Sequence, residues 1–188
     1  MANAGTSKAV VLREIQQGSS RSFEMIRASE THHALVPKEL EKAKKNVPKG
    51  TEAVTFGKLL GKIRATRGLG NFWLKNSNMA YKYDAVSNNH EAIKGFKKAI
   101  ISSEPDINVI DLQKNDRWLI LATDGMWENV KRRDIAQLVS QVDIAQQDES
   151  DSVHVVRHLL NTALERICYN EGITRTFLSD CQPGQRKR

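Results

Sequence analysis

The sequence predicts an α+β fold in which antiparallel sheets are flanked by helices. Three observations carry this prediction. Short β-like runs in the first third of the chain alternate with turn residues, residues 117–123 form a nearly all-apolar run, and helical patterns fill most of the last third. The 188 residues are enough to bury one hydrophobic core, so we expect a single domain.

The first predicted elements are a hairpin and a helix. Residues 8–13 (KAVVLR) and 23–27 (FEMIR) are β-like and are separated by the turn-forming stretch 17–20. The helix covers residues 37–45, with Pro37 at its first position and lysines toward its end, where the helix dipole favours cations.

The middle of the chain is predicted to contain short strands and loops. Residues 53–63 are β-like but are interrupted by Gly57 and Gly61, and residues 67–71 (RGLGN) are expected to form a tight loop. Residues 76–98 have no clear period, so we expect a loop with a short helix there.

A second hairpin is predicted from residues 107–112, which alternate in polarity, and from residues 117–123, which read RWLILAT. Because the second run is almost wholly apolar, its strand is expected to be buried on both faces. The longest uninterrupted apolar run, Trp118–Ala122, is far shorter than the roughly 20 residues of a membrane-spanning helix. We therefore expect no membrane partner.

Two helices are predicted at residues 132–142 and 152–170. The second is expected to begin at a cap formed by Asp151 or Ser152 and to end at Gly172. Its predicted buried stripe comprises Val156, Leu159, Leu160, Ala163, Leu164 and Ile167.

Composition and charge argue against a secreted protein and against a nucleic-acid-binding protein. The N-terminus lacks the basic and apolar regions of a signal peptide, and Cys168 and Cys181 are too few for a disulfide framework, so we expect reduced thiols in an intracellular, cytoplasmic protein. The net charge of +7 would suit a nucleic acid if it were concentrated. However, the basic segment 38–49 contains no aromatic residue to stack on a base, and we expect no nucleic-acid partner.

Two pairs of histidines stand out in the sequence. His154 and His158 have the i, i+4 spacing of a zinc motif, but no third ligand accompanies them, so a zinc site is not predicted. His32 and His33 lie in a polar loop, where a surface position is expected.

Asp124 is the strongest candidate for a metal-binding residue. It directly follows the predicted strand 117–123, so a rigid backbone would hold its carboxylate while Gly125 lets other groups approach closely. Hard cations such as Mg²⁺ and Mn²⁺ take oxygen ligands and need only one or two carboxylates from a single segment. The alternative is that Asp124 only caps the turn into the next helix.

Four segments stand out in the following order along the chain: ANAGTSKA at 2–9, RATRGLGN at 64–71, SEPDI at 103–107 and DRWLILATDGMWE at 116–128. Together they resemble the metal-dependent protein phosphatases, the PPM or type 2C family of Ser/Thr phosphatases, and they follow the order of that family. Residues 116–128 (DRWLILATDGMWE) resemble its most recognisable C-terminal motif. Residues 2–9 (ANAGTSKA) resemble its AN-x-GDSRA strand, residues 64–71 (RATRGLGN) its SRALGD loop, and residues 103–107 (SEPDI) its xxPDI run.

The resemblance implies a sandwich of two central antiparallel sheets flanked by helices. It also implies two Mg²⁺ or Mn²⁺ ions that activate a water for attack on phosphoserine or phosphothreonine in a protein substrate. Asp124 is the one core metal ligand that carries over. The family's first half, with its DGHGG metal loop, and its last Asp-containing metal motif have no counterpart here. Thr6 and Asn71 stand where the resembling motifs have Asp.

These departures lead to two hypotheses of different class. Residues 1–188 are expected to form a single partial phosphatase domain, a fragment that is inactive alone. The alternative is a catalytically dead, phosphatase-like module that binds a phosphoprotein or another partner through its basic half, since residues 1–105 carry 18 basic and 9 acidic groups. The sequence does not indicate an oligomeric state.

Overall fold

The computed structural model describes residues 1–17, 20–79, 95–142 and 149–180. In this part of the chain the strands are β1 (Ala2–Asn3), β2 (Lys8–Gln17), β3 (Ser20–Arg27), β4 (Val54–Thr55), β5 (Lys58–Leu59), β6 (Asp106–Ile107) and β7 (Asp116–Ala122). The helices are α1 (Pro37–Lys44), α2 (Asp124–Trp127), α3 (Arg132–Ser140), α4 (Glu149–Glu171) and α5 (Arg175–Asp180), with a 3₁₀ turn at Phe72–Leu74. The mixture of helices and antiparallel sheets confirms the predicted α+β class.

The chain divides into two compact units. Unit 1 comprises residues 1–8 and 28–110, and unit 2 comprises residues 9–27 and 111–188. Each unit has its own hydrophobic core. The core of unit 1 is formed by Ala34, Ala43, Leu59, Trp73, Leu74, Phe96, Ile100 and Ile101. The core of unit 2 is formed by Val10, Leu12, Trp127, Val130, Ile135, Val139, Val155, Leu159 and Ala163.

Unit 2 is built on a three-stranded sheet in the order β3-β2-β7. β2 and β3 are antiparallel, with pairs running from Val10 opposite Arg27 to Gln17 opposite Ser20. This pairing confirms the first predicted hairpin. The predicted turn between its strands includes residues 18 and 19, which lie outside the described residues.

The second predicted hairpin is wrong. β7 does not pair with residues 107–112 but with β2, about a hundred residues earlier in the chain, while β6 pairs with β1. The physical reason is that strands pair through backbone hydrogen bonds at their edges, which any strand can offer whatever its distance in sequence, and here the free edge of β2 pairs with β7.

The prediction that β7 is buried on both faces is also wrong. Trp118, Ile120 and Ala122 pack against the core of unit 2, whereas the alternate residues Leu119 and Leu121 are 57% and 61% exposed. Side chains of a strand alternate between two faces, and only one face of β7 lies on the core.

The helices of unit 2 cover that core. α3 packs against β3, and α4 packs against α3. α4 begins at Glu149, earlier than predicted, so Asp151 lies in its first turn and is buried rather than serving as a cap. Its buried stripe is Val155, Leu159 and Ala163, whereas Val156 and Leu160 are about half exposed, which corrects the predicted stripe. Gly172, at a φ of 63°, ends the helix as predicted.

Unit 1 holds the shorter elements. α1 begins with Pro37, as predicted, and β4 and β5 form a hairpin within the predicted β-like segment 53–63. In the tight loop 67–71, Gly70 and Asn71 adopt left-handed backbone conformations. Most of the loop predicted at 76–98 lies outside the described residues. Within the described ranges, no helix has the length and apolar character needed to span a lipid bilayer.

Candidate functional site

Asp124 lies in unit 2, where β7 leaves the sheet. It is half-buried and is the first residue of the short helix α2, directly after Thr123, which has an extended backbone. The indole Nε1 of Trp127 donates a hydrogen bond of 2.8 Å to the carbonyl oxygen of Ala122, and this bond fastens α2 to the end of β7. The backbone that carries the Asp124 carboxylate is therefore fixed on both sides.

The residue after Asp124 leaves space beside it. Among the described residues, a Cβ built on Gly125 would meet only the Oγ1 atom of Thr123, at 3.9 Å. Thr123, and not Asp124, occupies the N-cap position of α2, and the side chain of Thr123 makes no capping hydrogen bond. The acidic group in the first turn is favourable to the helix dipole.

A metal site needs more than this one carboxylate. Among residues 1–17, 20–79, 95–142 and 149–180, no group of three or more His, Cys, Asp or Glu side chains is placed to hold a metal ion. Each Mg²⁺ or Mn²⁺ ion takes about six oxygen ligands, and a two-ion site needs several bridging carboxylates. The described residues by themselves therefore do not fit a two-ion site.

A largely buried ion network lies in unit 1. The guanidinium of Arg67, 3% exposed, donates two hydrogen bonds to the carboxylate of Glu39, at 2.7 and 3.0 Å. Its Nη1 atom donates to the Oδ1 atom of Asp106 at 2.8 Å and to the carbonyl oxygen of Glu104 at 3.1 Å. The hydroxyl of Thr66 donates to Glu39 at 2.8 Å. Arg67 is thus held by two carboxylates from separate parts of unit 1.

His32 belongs to the same network, so the prediction that it lies at the surface is wrong. Its side chain is 1% exposed. The backbone N–H of Gly5 donates to Nδ1 at 3.2 Å, so the ring proton lies on Nε2, which donates to Asp106 Oδ2 at 2.9 Å. Both ring nitrogens are satisfied, which explains how a polar ring is buried in this loop.

The network changes the acidity of its members. The hydrogen bond from His32, followed by the one from Arg67, lowers the pKa of Asp106 from 3.8 to about 2. Burial alone would raise the pKa of Glu39, but the hydrogen bonds from Arg67 and Thr66 outweigh it and lower the pKa. The bonds to Glu39 and then to Asp106 raise the pKa of Arg67. Glu39, Asp106 and Arg67 are therefore charged at neutral pH.

The network joins three of the four motif segments. Gly5 belongs to segment 2–9, Arg67 to segment 64–71, and Asp106 to segment 103–107. Within unit 1, β1 pairs with β6, and Arg67 forms an isolated parallel bridge with Ser102. The fourth segment, 116–128, carries β7 and Asp124 in unit 2.

Two motif positions where Asp was expected carry other residues, and the structure places both on loops of unit 1. Thr6 is half-buried in the turn after β1. Asn71 is exposed and adopts a left-handed backbone with a φ of 47°, a conformation that Asn tolerates well. Neither side chain supplies the negative charge that a divalent cation prefers.

The roles of His32 and Glu39 are not evident from the sequence alone. Glu39 has the pattern of an ordinary acidic residue in the first turn of α1, and its partner Arg67 is 28 residues away. His32 and Asp106 are separated by 74 residues. No local sequence signal identifies such long-range partners.

Comparisons with known proteins agree with the motif order. Residues 1–171 match the family described as Protein phosphatase 2C. A probable protein phosphatase 2C 67 of Arabidopsis thaliana is 25% identical over 190 residues, covering all of this chain and 48% of the relative. The human mitochondrial pyruvate dehydrogenase (acetyl-transferring) phosphatase 1 is 29% identical over 153 residues, covering 75% of this chain and 28% of the relative.

Solved structures give the same picture of the fold. The crystal structure of a serine-threonine phosphatase 2C from Toxoplasma gondii superposes with a TM-score of 0.53 at 16% identity, over 90% of this chain and 49% of that chain. The chain spans less than half the length of each of these proteins. Because the family match covers most of its residues, the chain belongs to the protein phosphatase 2C family.

Proposed function

We propose that this chain takes part in the metal-dependent dephosphorylation of phosphoserine and phosphothreonine in proteins, with Asp124 as a ligand of Mg²⁺ or Mn²⁺. The observation that supports this role is the position of Asp124, a carboxylate on a fixed backbone at the end of β7 with open space beside Gly125. A preorganised oxygen ligand of this kind suits a hard divalent cation.

We further propose that residues 1–188 form one part of a phosphatase domain and are inactive alone. This rests on the ligand count, because Asp124 is one carboxylate where a two-ion site needs several. It also agrees with the chain spanning between a quarter and a half of the length of its curated relatives. The remaining carboxylates would come from residues of a longer form of the protein.

A second candidate is a phosphatase-like module that binds a partner without catalysis. The replacement of the expected Asp by Thr6 and Asn71 favours it, since both changes remove anionic ligands. The two candidates differ in one respect that can be measured. Only the first requires that activity appear when the missing carboxylates are present.

The test compares the 188-residue chain with a longer form that includes the DGHGG-type loop and the last Asp-containing motif. We expect no Mn²⁺-dependent hydrolysis of p-nitrophenyl phosphate or a phosphopeptide by the 188 residues, and turnover by the longer form. Asp124→Asn should abolish most of that turnover because it removes a charge that balances the cations. Asp111→Asn, a change at an exposed aspartate of the same unit, is the matched control and should leave turnover unchanged.

Three outcomes would contradict the proposal. Metal-dependent turnover by the 188-residue chain alone would show that it needs no further ligands. A longer form that turns over equally well with Asp124→Asn would show that Asp124 is not a metal ligand. A longer form that is inactive while both variants remain folded would favour the binding module.

A further inference from the structure

An aromatic side chain is displayed at the tip of the β4–β5 hairpin in unit 1. Phe56 and Gly57 are the two turn residues between the paired residues Thr55 and Lys58, and both have positive φ angles, 51° and 71°. Such two-residue turns favour Asn-Gly or Gly-Gly, because a residue with a Cβ is strained there. Phe56 is nevertheless present, and its side chain is 96% exposed.

Neither folding nor solubility accounts for this phenylalanine. A side chain exposed at this level buries almost no apolar area, and asparagine would fit the backbone better. A strained, solvent-exposed aromatic is a reason to look for a binding role.

A second apolar side chain lies beside the turn. A Cβ built on Gly57 would be 3.7 Å from the Cδ1 atom of Leu35, so the Leu35 side chain lies against the hairpin tip. Leu35 is itself 65% exposed. The two residues, Leu35 and Phe56, are called the hairpin patch below.

The lysines next to the hairpin patch in the chain are exposed. Lys58 follows the turn directly, and Lys38 is three residues after Leu35. Glu52, whose carboxylate accepts a hydrogen bond of 3.2 Å from the hydroxyl of Thr55, adds one negative charge at the hairpin. The two lysines outweigh this one carboxylate, so the complementary charge is negative.

We propose that the hairpin patch is a docking surface for an acidic peptide segment of a partner protein, with an apolar residue of that segment contacting Phe56 and Leu35. The apolar pair would supply most of the affinity, because buried aromatic anchors dominate interfaces. The lysines would speed association and select acidic segments. This role is independent of metal binding and of Asp124.

The probe is a fluorescein-labelled peptide, Glu-Asp-Leu-Leu-Glu-Asp-Glu, whose binding to the 188-residue chain is followed by fluorescence anisotropy. Two control peptides carry Gly in place of both Leu, or Lys in place of every acidic residue. We expect the first peptide to bind and both controls to bind about tenfold more weakly or not at all. Raising the salt concentration from about 0.05 to 0.5 M should weaken the binding.

Phe56→Asn separates a binding role from a structural one. It should weaken peptide binding about five- to tenfold, because it removes the aromatic anchor. It should leave the thermal melting temperature unchanged or higher, because Asn relieves the backbone strain. Val109→Ala, a change at another strongly exposed apolar residue of unit 1, is the matched control and should not alter binding.

The proposal is overturned if the acidic peptide does not bind, or if Phe56→Asn binds it as tightly as the unchanged chain. It is also overturned if Val109→Ala weakens binding as much as Phe56→Asn does. Because phosphatase turnover is not the readout, a negative result here leaves the proposed function to its own test.

Discussion

Replacing Glu39 with alanine should destabilise unit 1 strongly, because it removes the main partner of a buried cation. In the native structure the Nε and Nη2 atoms of Arg67 both donate to Glu39, and the hydroxyl of Thr66 donates to it as well. The side chains of Arg67 and Glu39 are only 3% and 5% exposed, so water cannot take the place of the lost carboxylate without opening the structure.

The size of the loss in unfolding free energy depends on which hydrogen bonds Arg67 retains in Glu39→Ala. Breaking a buried ion pair by removing one partner costs about 3–5 kcal/mol. The Nη1 atom retains its bonds to Asp106 and to the carbonyl oxygen of Glu104, which favours the lower end of that range. Loss of an acidic group from the first turn of α1 adds about 0.3–1 kcal/mol. We therefore expect Glu39→Ala to lower the free energy of unfolding of unit 1 by about 3–5 kcal/mol.

Hydrogen exchange measured by mass spectrometry can determine the unfolding free energy of unit 1 separately from that of unit 2. The amide of Ala34 donates to the carbonyl oxygen of Arg64, and the amide of Thr66 donates to that of His32, so peptides covering these residues report on opening of the network. Glu41→Ala is the matched control, since Glu41 is an exposed glutamate on the same helix. It should change the opening free energy by less than about 0.5 kcal/mol.

The result that would refute the reasoning is an opening free energy in Glu39→Ala within about 1 kcal/mol of the unchanged chain, because a buried guanidinium that has lost two of its hydrogen bonds to a carboxylate should cost more than that. Equal effects of Glu39→Ala and Glu41→Ala would place the cause in the helix and not in the network. Glu39→Gln, which keeps an acceptor oxygen but not the charge, should lie between the two, with a loss of about 1–3 kcal/mol.

Two further predictions follow from the described contacts. The pKa of Asp106 is lowered from 3.8 to about 2, so its contribution to stability is present above pH 3.8 and is lost as the pH falls through about 2. Asp106→Asn should therefore flatten the acid unfolding curve of unit 1 in that range, as measured by circular dichroism. An unchanged curve would contradict the assigned contacts. In unit 2, Leu12→Ala should lower the free energy of unfolding by about 2–5 kcal/mol, because Leu12 is fully buried. Leu121→Ala on the neighbouring strand should lower it by less than about 1 kcal/mol, because Leu121 is exposed. Similar losses for the two variants in urea unfolding would show that the exposed face of β7 is covered.

Much of the fold could be predicted from local sequence. The β2–β3 hairpin, the start of α1 at Pro37 and the end of α4 at Gly172 each depend on residues close together in the chain, where turn and capping preferences act directly. Asp124 was likewise predicted to follow a strand, and it does.

The wrong predictions share a cause, which is that distant parts of the chain decide them. β7 contains apolar residues at every position from Trp118 to Ala122, so its composition cannot tell which face lies on the core or which strand is its partner. α4 presents the same difficulty, because Val155 and Val156 are neighbours of equal hydrophobicity and only the packing decides that Val155 is buried. A polar residue such as His32 is buried only if its partners are already in place, and those partners come from other segments.

The buried network also bears on how motif residues should be interpreted. Arg67 and Asp106 lie in segments that resemble phosphatase motifs, and a charged residue in such a segment is easily assigned to catalysis. In this structure Arg67 is inaccessible, and its donors bind Glu39, Asp106 and a backbone carbonyl. Its charge therefore stabilises unit 1, and it has no exposed donor to offer a phosphate group. Asp124 differs from Arg67 in burial, because it is only half-buried and stands beside Gly125, where the described residues leave space for a Cβ. Burial, more than motif membership, separates Arg67 as a structural charge from Asp124 as the candidate metal ligand.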